Sequence, residues 1–405
     1  MSAPREACDY VVVGGGPTGL AVGIEAALAG RSAIVIERRA GALDKACGEG
    51  LMPFAVARLE SMGVGLPPGG FHPFRGLRYV DGDLVAEAAF RNGPGRGVRR
   101  TVLSEAMLAR AAALGVEVRR GVEAAGFVEA ARGVRLETSA GPIEARWLVG
   151  ADGLHGTVRR APGFEVLAGR RRRFGVRRHV AVAPWSDCVE VHWQDGVEAY
   201  VTPVSASEVG VAFLWTSDDD ADAGWDRFLD RFPALAARLG AAARGGARAT
   251  RGAGPFAVAV RPEARGRVLL AGDASGYVDA ITGEGIGLAF AAAQALVLAT
   301  GPGDDASPDA AARRYARALR RIRRRHVWLT RALLTVAGRP ALRRRYVAAL
   351  AASPRAFGGL LALSSGACGW GRALPSLATL AARAIIPGAR SAPSRPAPAP
   401  RRAAG

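Results

Sequence analysis

The stretch that decides the fold is residues 9–38, DYVVVGGGPTGLAVGIEAALAGRSAIVIER. Val11 to Val13 form a short β-branched run, residues 18–30 carry the small-apolar spacing of a packed helix, and Ala33 to Ile36 make a second apolar strand ending at Glu37. Between the first strand and the helix lies Gly14-x-Gly16-x-x-Gly19. Gly14 permits a tight turn, Gly16 lets the backbone approach a pyrophosphate, and Gly19 lets helix and strand pack closely. The free amides of the helix N-terminus then face the phosphates. Glu37, at the end of the next strand, is placed to accept hydrogen bonds from an adenosine ribose. A bare GxGxxG says little, but inside this strand-turn-helix-strand frame it points to a bound dinucleotide.

The totals bound what surrounds that unit. A chain of 405 residues with 49% apolar side chains buries a large core and divides into more than one domain. The formal charge of +19 is almost wholly arginine, since Lys45 is the only lysine. Clustered basic charge raises nucleic acid as a partner. Replacement of lysine by arginine throughout, with abundant alanine and glycine, reads instead as coding bias, so nucleic acid is not expected. Cys8, Cys47, Cys188 and Cys368 show no CxxC pair and no spacing with histidine, so no metal site is expected. They make a poor disulfide framework, and the apolar start reads as strand and turn rather than export signal, so a cytoplasmic location is expected.

Two later stretches have the same strand-to-loop character. In Trp147 to Arg160, WLVGADGLHGTVRR, a buried strand ends at Gly150 and Asp152-Gly153 turns out of it toward Arg159. In Arg267 to Ala289, RVLLAGDASGYVDAITGEGIGLA, Asp273 follows an apolar strand, and Gly283, Gly285 and Gly287 open a long alanine-rich helix. A helix that starts at a glycine loop presents its free amides to negative charge. An earlier loop, Asp44 to Pro53, DKACGEGLMP, sets Lys45, Cys47 and Glu49 among glycines that let a backbone approach something bulky.

The three motifs, in this order and at these separations, resemble the flavoprotein monooxygenase superfamily that includes para-hydroxybenzoate hydroxylase, the flavin-dependent halogenases and the geranylgeranyl reductases. The resemblance covers most of residues 7–300. It implies a Rossmann-type FAD-binding domain with an inserted antiparallel β-sheet substrate domain, an α/β fold overall. It further implies FAD held by Gly14, Gly16, Gly19, Glu37, Arg100, Asp152, Gly153 and Asp273, with the Gly283 and Gly285 turn against the flavin ring. NADPH or NADH is the implied electron donor. Two positions depart from the family pattern: Gly156 stands at its usual serine and Ala280 at its usual proline. The loop with Cys47 resembles the cysteine-glycine stretch of the reductases and lies along the flavin in this fold. Cys47 is therefore a candidate catalytic residue, its thiol tuning the flavin or passing a proton. A small side chain that merely fits is the equal alternative. The tryptophan-rich signature of halogenases is missing.

From Phe174 to Trp215 the pattern alternates with period two, and Asp195-Gly196 offers a hairpin turn. Trp193, Tyr200, Phe213 and Trp215 are candidates for the wall of an apolar substrate pocket, although alternating aromatics also fill plain cores. The expected division is an FAD-binding domain of residues 1–75, 98–165 and 250–305, a substrate domain of 76–97 and 166–249, and a helical region of 306–386. A disordered tail of 387–405 follows, where Pro, Ala, Arg and Ser dominate. Residues 310–350 hold thirteen arginines and no acid, with an apolar stripe at Tyr315, Leu319, Ile322, His326, Leu329, Leu333 and Val336. A solvated basic face packed on the FAD domain is the first reading of it. Peripheral contact with an anionic membrane through the basic C-terminal helices is the second.

The activity expected is that of an NAD(P)H-dependent monooxygenase hydroxylating a hydrophobic aromatic or polyketide-type molecule. The alternatives are a reductase of C=C bonds in a prenyl or lipid-like substrate, and a flavin-binding protein without turnover.

Overall fold

The computed structural model describes residues 7–169, 172–216, 224–245, 250–301 and 307–385, so the expected tail lies outside the described residues. The strand Ala7–Val13 sits centrally in the first sheet, parallel to Ile143–Gly150 on one side and to Ala33–Glu37 on the other. Val268–Leu270 and Glu117–Arg120 extend this parallel core outward. A central parallel strand is buried on both faces, and its side chains divide accordingly. Tyr10 and Val12 enter one cluster with Leu20, Met107 and Phe290, whereas Val11 and Val13 enter another with Ile34, Ile36 and Leu136.

Among the described residues ten α-helices surround the sheets. α1 (Pro17–Leu28), α2 (Pro53–Ser61) and α3 (Arg100–Ala113) belong to the first half. α4 (Trp225–Asp230), α5 (Pro233–Leu239) and α6 (Gly285–Ala299) follow. α7 (Pro308–Ala337), α8 (Pro340–Ala351), α9 (Pro354–Ser364) and α10 (Trp370–Ile385) close the described chain. Tyr315 and Leu319 of α7 are fully buried in the same cluster as Tyr10, so the predicted stripe packs on the first sheet at its N-terminal end.

Among the described residues the second sheet has seven strands, in the order Arg251–Ala253, Arg173–Val180, Val209–Thr216, Val197–Pro203, Cys188–Gln194, Gly76–Asp81 and Leu84–Ala89. All pairs are antiparallel except Cys188–Gln194 with Gly76–Asp81. Gln194 pairs with Val197, so Asp195-Gly196 is the two-residue turn of a hairpin. One face of the sheet is covered by α4 and α5, and the other looks toward the first sheet and α8 to α10. Among the described residues no single helix is long and apolar enough to cross a membrane.

Candidate functional site

The three motifs converge. Gly14 has φ +111°, and a β-carbon there would come 2.5 Å from the Ala151 carbonyl oxygen, so the first turn lies directly on the Asp152-Gly153 turn. A β-carbon at Gly19 would overlap the Gly14 carbonyl, and one at Gly272, φ +60°, would overlap Thr18. Arg159 joins the second motif to the third by donating to the Asp273 carbonyl at 3.4 Å. Arg323 of α7 clamps the Asp273 turn from behind, donating to the carbonyls of Gly272 and Ser275, both at 2.8 Å.

Over this junction the donor set fits FAD. A β-carbon at Gly16 would meet nothing nearer than Arg100 Nη2 at 4.0 Å, leaving open space at the N-terminus of α1 beside a guanidinium. Arg100 Nε is buried with no hydrogen-bond partner beside this opening, whereas Asp152 Oδ1, also without one, turns toward Gly156, 2.1 Å from where a β-carbon would stand. Glu37 is fixed at the turn by the amides of Gly15, 2.9 Å, and Arg39, 3.0 Å. Lys45 Nζ lies 3.5 Å from Asp273 Oδ2, and a β-carbon at Gly153 would come 3.2 Å from the same ammonium. Asp152 Oδ2 accepts from the Thr157 amide at 2.6 Å and the Val158 amide at 3.2 Å, and its carboxylate fills the space of a side chain at 156. That explains glycine where the family pattern has serine. Gly287 does not face the opening: a β-carbon there would press on Phe54 and Ala55 of α2.

A cavity of about 450 Å³ takes in the cradle itself, from Pro17 and Thr18 of α1, and runs on toward the C-terminal helices. Its near end is walled by Lys45, Cys47, Arg100, Asp273 and Gly283. Its far end is walled by Leu333, Leu361, Leu377 and Leu380 of the C-terminal helices. Tyr200 lines it and donates to the Ile281 carbonyl at 3.2 Å, tying the loop before α6 to the second sheet. Burial first, and then the neighbouring Glu198, raise the Tyr200 phenol well above its ordinary value, so it serves as donor. The other three aromatics expected in the wall are placed elsewhere. Phe213 and Trp215 point to the opposite face, where Phe213 meets Trp225, 4.8 Å between ring centroids, and Trp215 meets Phe228, 4.6 Å. Trp193 sits under α8 and α9, edge-on to Tyr79 at 5.7 Å. Strand parity is the reason for Phe213 and Trp215: side chains alternate faces, so Tyr200 and Ala212 share the cavity side while residues 213 and 215 cannot. Trp193, paired with Glu198, is on the Tyr200 side but is covered by the C-terminal helices.

Sequence reasoning gave no role to a network behind the cavity wall. Glu49, 2% exposed, has φ +59°, which for a non-glycine residue is strained by about 1 kcal/mol. Its Oε1 accepts from the Arg100 amide at 2.9 Å, and its Oε2 lies 2.6 Å from His179 Nε2. Arg177, fully buried, reaches Asp44 Oδ1 at 2.5 Å and Glu49 Oε1 at 3.6 Å. Burial raises the Asp44 carboxyl, but the hydrogen bond and charge of Arg177, with Arg251 beside it, outweigh this and hold it below its ordinary value. Only the density of glycine around Glu49 marked the site. Nothing in the alternating pattern of residues 173–180 distinguished Arg177 or His179.

With this geometry in hand, the likeness to known proteins is specific. Residues 7–301 match the family described as FAD binding domain. The chain belongs to that family. It is an FAD-dependent oxidoreductase, and the resemblance to the flavoprotein monooxygenases holds. It is 31% identical over 300 residues to the menaquinone reductase of Mycobacterium tuberculosis, covering 69% of this chain and 73% of that one. To a probable NADH-specific resorcinol 4-hydroxylase of Rhodococcus jostii it is 31% identical over 186 residues, 40% of this chain and 34% of that one. Among solved structures, the anhydrotetracycline hydroxylase of Streptomyces rimosus superposes with a TM-score of 0.70 at 24% identity, over 89% of this chain and 76% of that one. The tetrameric 2-methyl-3-hydroxypyridine-5-carboxylic acid oxygenase does so at 0.69 and 22%, over 83% and 93%. At those identities the superpositions establish the fold.

Proposed function

We propose that this protein is an NAD(P)H-dependent monooxygenase that hydroxylates an aromatic ring carrying a long apolar substituent. The observation that carries the reading is the cavity: one end is walled by the FAD-facing loops and the other by leucines of α7, α9 and α10. With the flavin at the near end, an aromatic ring beside it and an aliphatic tail among the leucines would fill the rest, and burying each methylene contributes about 0.8 kcal/mol. The names of the resorcinol 4-hydroxylase and of the tetracycline monooxygenase among the relatives agree with an aromatic substrate.

The residues divide the work. Gly16, Arg100, Glu37 and Asp273 would hold the nucleotide, with Gly14 and Gly19 shaping its turn. The bound FAD would supply either oxygen activation or a hydride, with the nicotinamide as electron donor. The amides at the start of α6 favour negative charge beside Gly283 and Gly285. Tyr200 orients polar groups at the ring end, and the apolar wall keeps water from the reacting atoms.

A second reading is supported by two observations, the placement of Cys47 on the cavity wall and the long match to menaquinone reductases: reduction of a C=C bond in a prenyl or lipid-like chain. Aerobic incubation of the FAD-loaded protein with NADPH or NADH and alkylphenols of graded chain length, followed by mass analysis, tests both. A gain of one oxygen supports hydroxylation, and a gain of two hydrogens on unsaturated chains supports reduction. No product from either series would overturn both.

A tail of this kind suits loading from a lipid surface. Trp328, 51% exposed, lines the outer end of the cavity, Leu374 is 60% exposed, and residues 310–385 contain no acid. Each arginine near an anionic surface contributes about 1 kcal/mol. Sedimentation with phosphatidylglycerol vesicles, lost in high salt and absent with phosphatidylcholine, is the expected outcome.

A further inference from the structure

Glu49 ties three segments together. Its carbonyl accepts from the Val98 amide at 2.9 Å, its Oε1 from the Arg100 amide at 2.9 Å, and its Oε2 faces His179 at 2.6 Å. Its own amide donates to Cys47 Sγ at 3.4 Å, so the position of the thiol follows that of Glu49. The same loop is also held by Asp44 on Arg177 and Arg251, by Lys45 on Asp273 at 3.5 Å, and by the Lys45 carbonyl, which accepts from Arg177 at 3.3 Å. The Cys47 thiol, 4.0 Å from Arg100 Nη1, and the Gly48 carbonyl, which accepts from Thr202 Oγ1 at 2.8 Å, hold it further.

The other nitrogen of His179 decides its state. Nδ1 lies 3.1 Å from Arg177 Nη1 and 3.3 Å from Arg99 Nη2. A guanidinium has no acceptor, so Nδ1 must carry the lone pair and Nε2 the hydrogen. The ring is then neutral, donating to Glu49 and accepting from the arginines. The charged groups facing it are Glu49, Arg177 and Arg99, with Asp44 behind Arg177 and Glu208 behind Arg99 at 3.5 Å. A second ring proton would point at two cations.

We propose that Glu49 and His179 are a positioning pair, His179 acting as a neutral donor-acceptor bridge that locks the loop Asp44–Gly50, and Cys47 with it, against the second sheet. The left-handed backbone of a non-glycine residue at 49 fits this, because such a conformation persists where the surroundings over-determine it. The proposal rests on the reading that this loop walls the flavin side of the cavity. It is independent of whether the substrate is hydroxylated or reduced.

The test uses the full chain without substrate. Cys47 is alkylated with iodoacetamide and its rate taken as a ratio to that of Cys368, also half-exposed, while labelling of the buried Cys8 and Cys188 reports global unfolding. Loss of a charge-assisted hydrogen bond opens a loop by roughly tenfold, so His179→Phe is expected to raise the ratio by about that factor. His179→Gln, whose amide can donate to Glu49 and accept from Arg177, is expected to restore the wild-type ratio. Glu49→Ala, which also frees the Arg100 amide, should raise the ratio at least as far as His179→Phe, and it carries the test if the phenylalanine variant unfolds. Equal ratios in wild type, H179F and E49A would overturn the proposal, as would H179Q behaving like H179F. Neither result depends on turnover, so failure here is separable from failure of the functional reading.

Discussion

Arg173 in the second sheet donates through Nε to Asp279 Oδ2 at 2.8 Å in the loop before α6. The same guanidinium reaches Glu198 at 2.7 Å, and all three side chains are buried. Asp279 in turn accepts from the Ile281 amide at 3.0 Å, so the loop before α6 is hung on a buried ion cluster. Removing one partner of such a cluster leaves charge without compensation and typically costs about 3–5 kcal/mol. Arg173→Leu is therefore expected to lower the denaturant midpoint sharply at neutral pH. Burial already raises Asp279 and Glu198 against the pull of Arg173, so without it both take up protons readily, and the deficit should shrink as pH falls.

Glu284 and His326 share a second cavity of about 400 Å³, on the other side of α6. Burial pushes the Glu284 carboxyl up to about 8, opposed by Arg325. Burial, then Arg323 and Arg325, push the His326 imidazole down to about 4. The native state thus holds a proton on Glu284 that the unfolded chain releases, and stability falls as pH rises from about 4.5 to about 8. For His326 the sign reverses: stability is lost as pH falls from 6.5 to about 4. Each limb has a ceiling of about 1.4 kcal/mol per pH unit. Glu284→Gln should flatten the alkaline limb and His326→Gln the acid limb, read as thermal midpoint against pH.

Gly156 is where the family pattern places serine, yet Asp152 occupies the space. Restoring the family residue should do harm. Gly156→Ser is expected to cost about 1–3 kcal/mol of stability by overpacking and to displace Asp152, weakening FAD retention measured by flavin release on ultrafiltration.

Gly16 and Gly19 separate binding from folding. Gly16 has φ −72° and ψ 176°, which alanine adopts freely, and no atom lies close to its missing β-carbon. Gly16→Ala should leave the thermal midpoint of the apoprotein unchanged while weakening FAD binding at least tenfold. At Gly19 the new carbon overlaps the Gly14 carbonyl, so Gly19→Ala should lower both.

Phe213 and Tyr200 lie on opposite faces of one sheet. Phe213→Ala should cost about 3–5 kcal/mol and leave substrate KM unchanged in the folded fraction. Tyr200→Phe removes one hydroxyl from the cavity and should change KM or product position with little loss of stability.

These contrasts mark what could be read from the chain alone. The glycine turns were legible because their conformations constrain residue type locally: φ +111° at Gly14 excludes most side chains whatever surrounds it. The alternation of residues 174–215 revealed two faces, but which face meets the cavity depends on what covers each. The choice of Phe213 and Trp215 failed on that point. Glu49 and His179 are 130 positions apart, and no local pattern links a strained carboxylate in one loop to an imidazole inside a distant strand. The stripe on α7 was legible as a helix, whereas its division between first-sheet packing at Tyr315 and cavity lining at Leu333 was not.

The leucines at the far end of the cavity belong to residues beyond 301, outside the stretch that matches the family. Apart from Arg323, which braces the Asp273 turn, the cradle and the leucine wall occupy separable lengths of chain. On the proposed reading, mutational drift among those leucines would retune which molecules are accepted, which makes them the positions to randomise when new selectivity is sought.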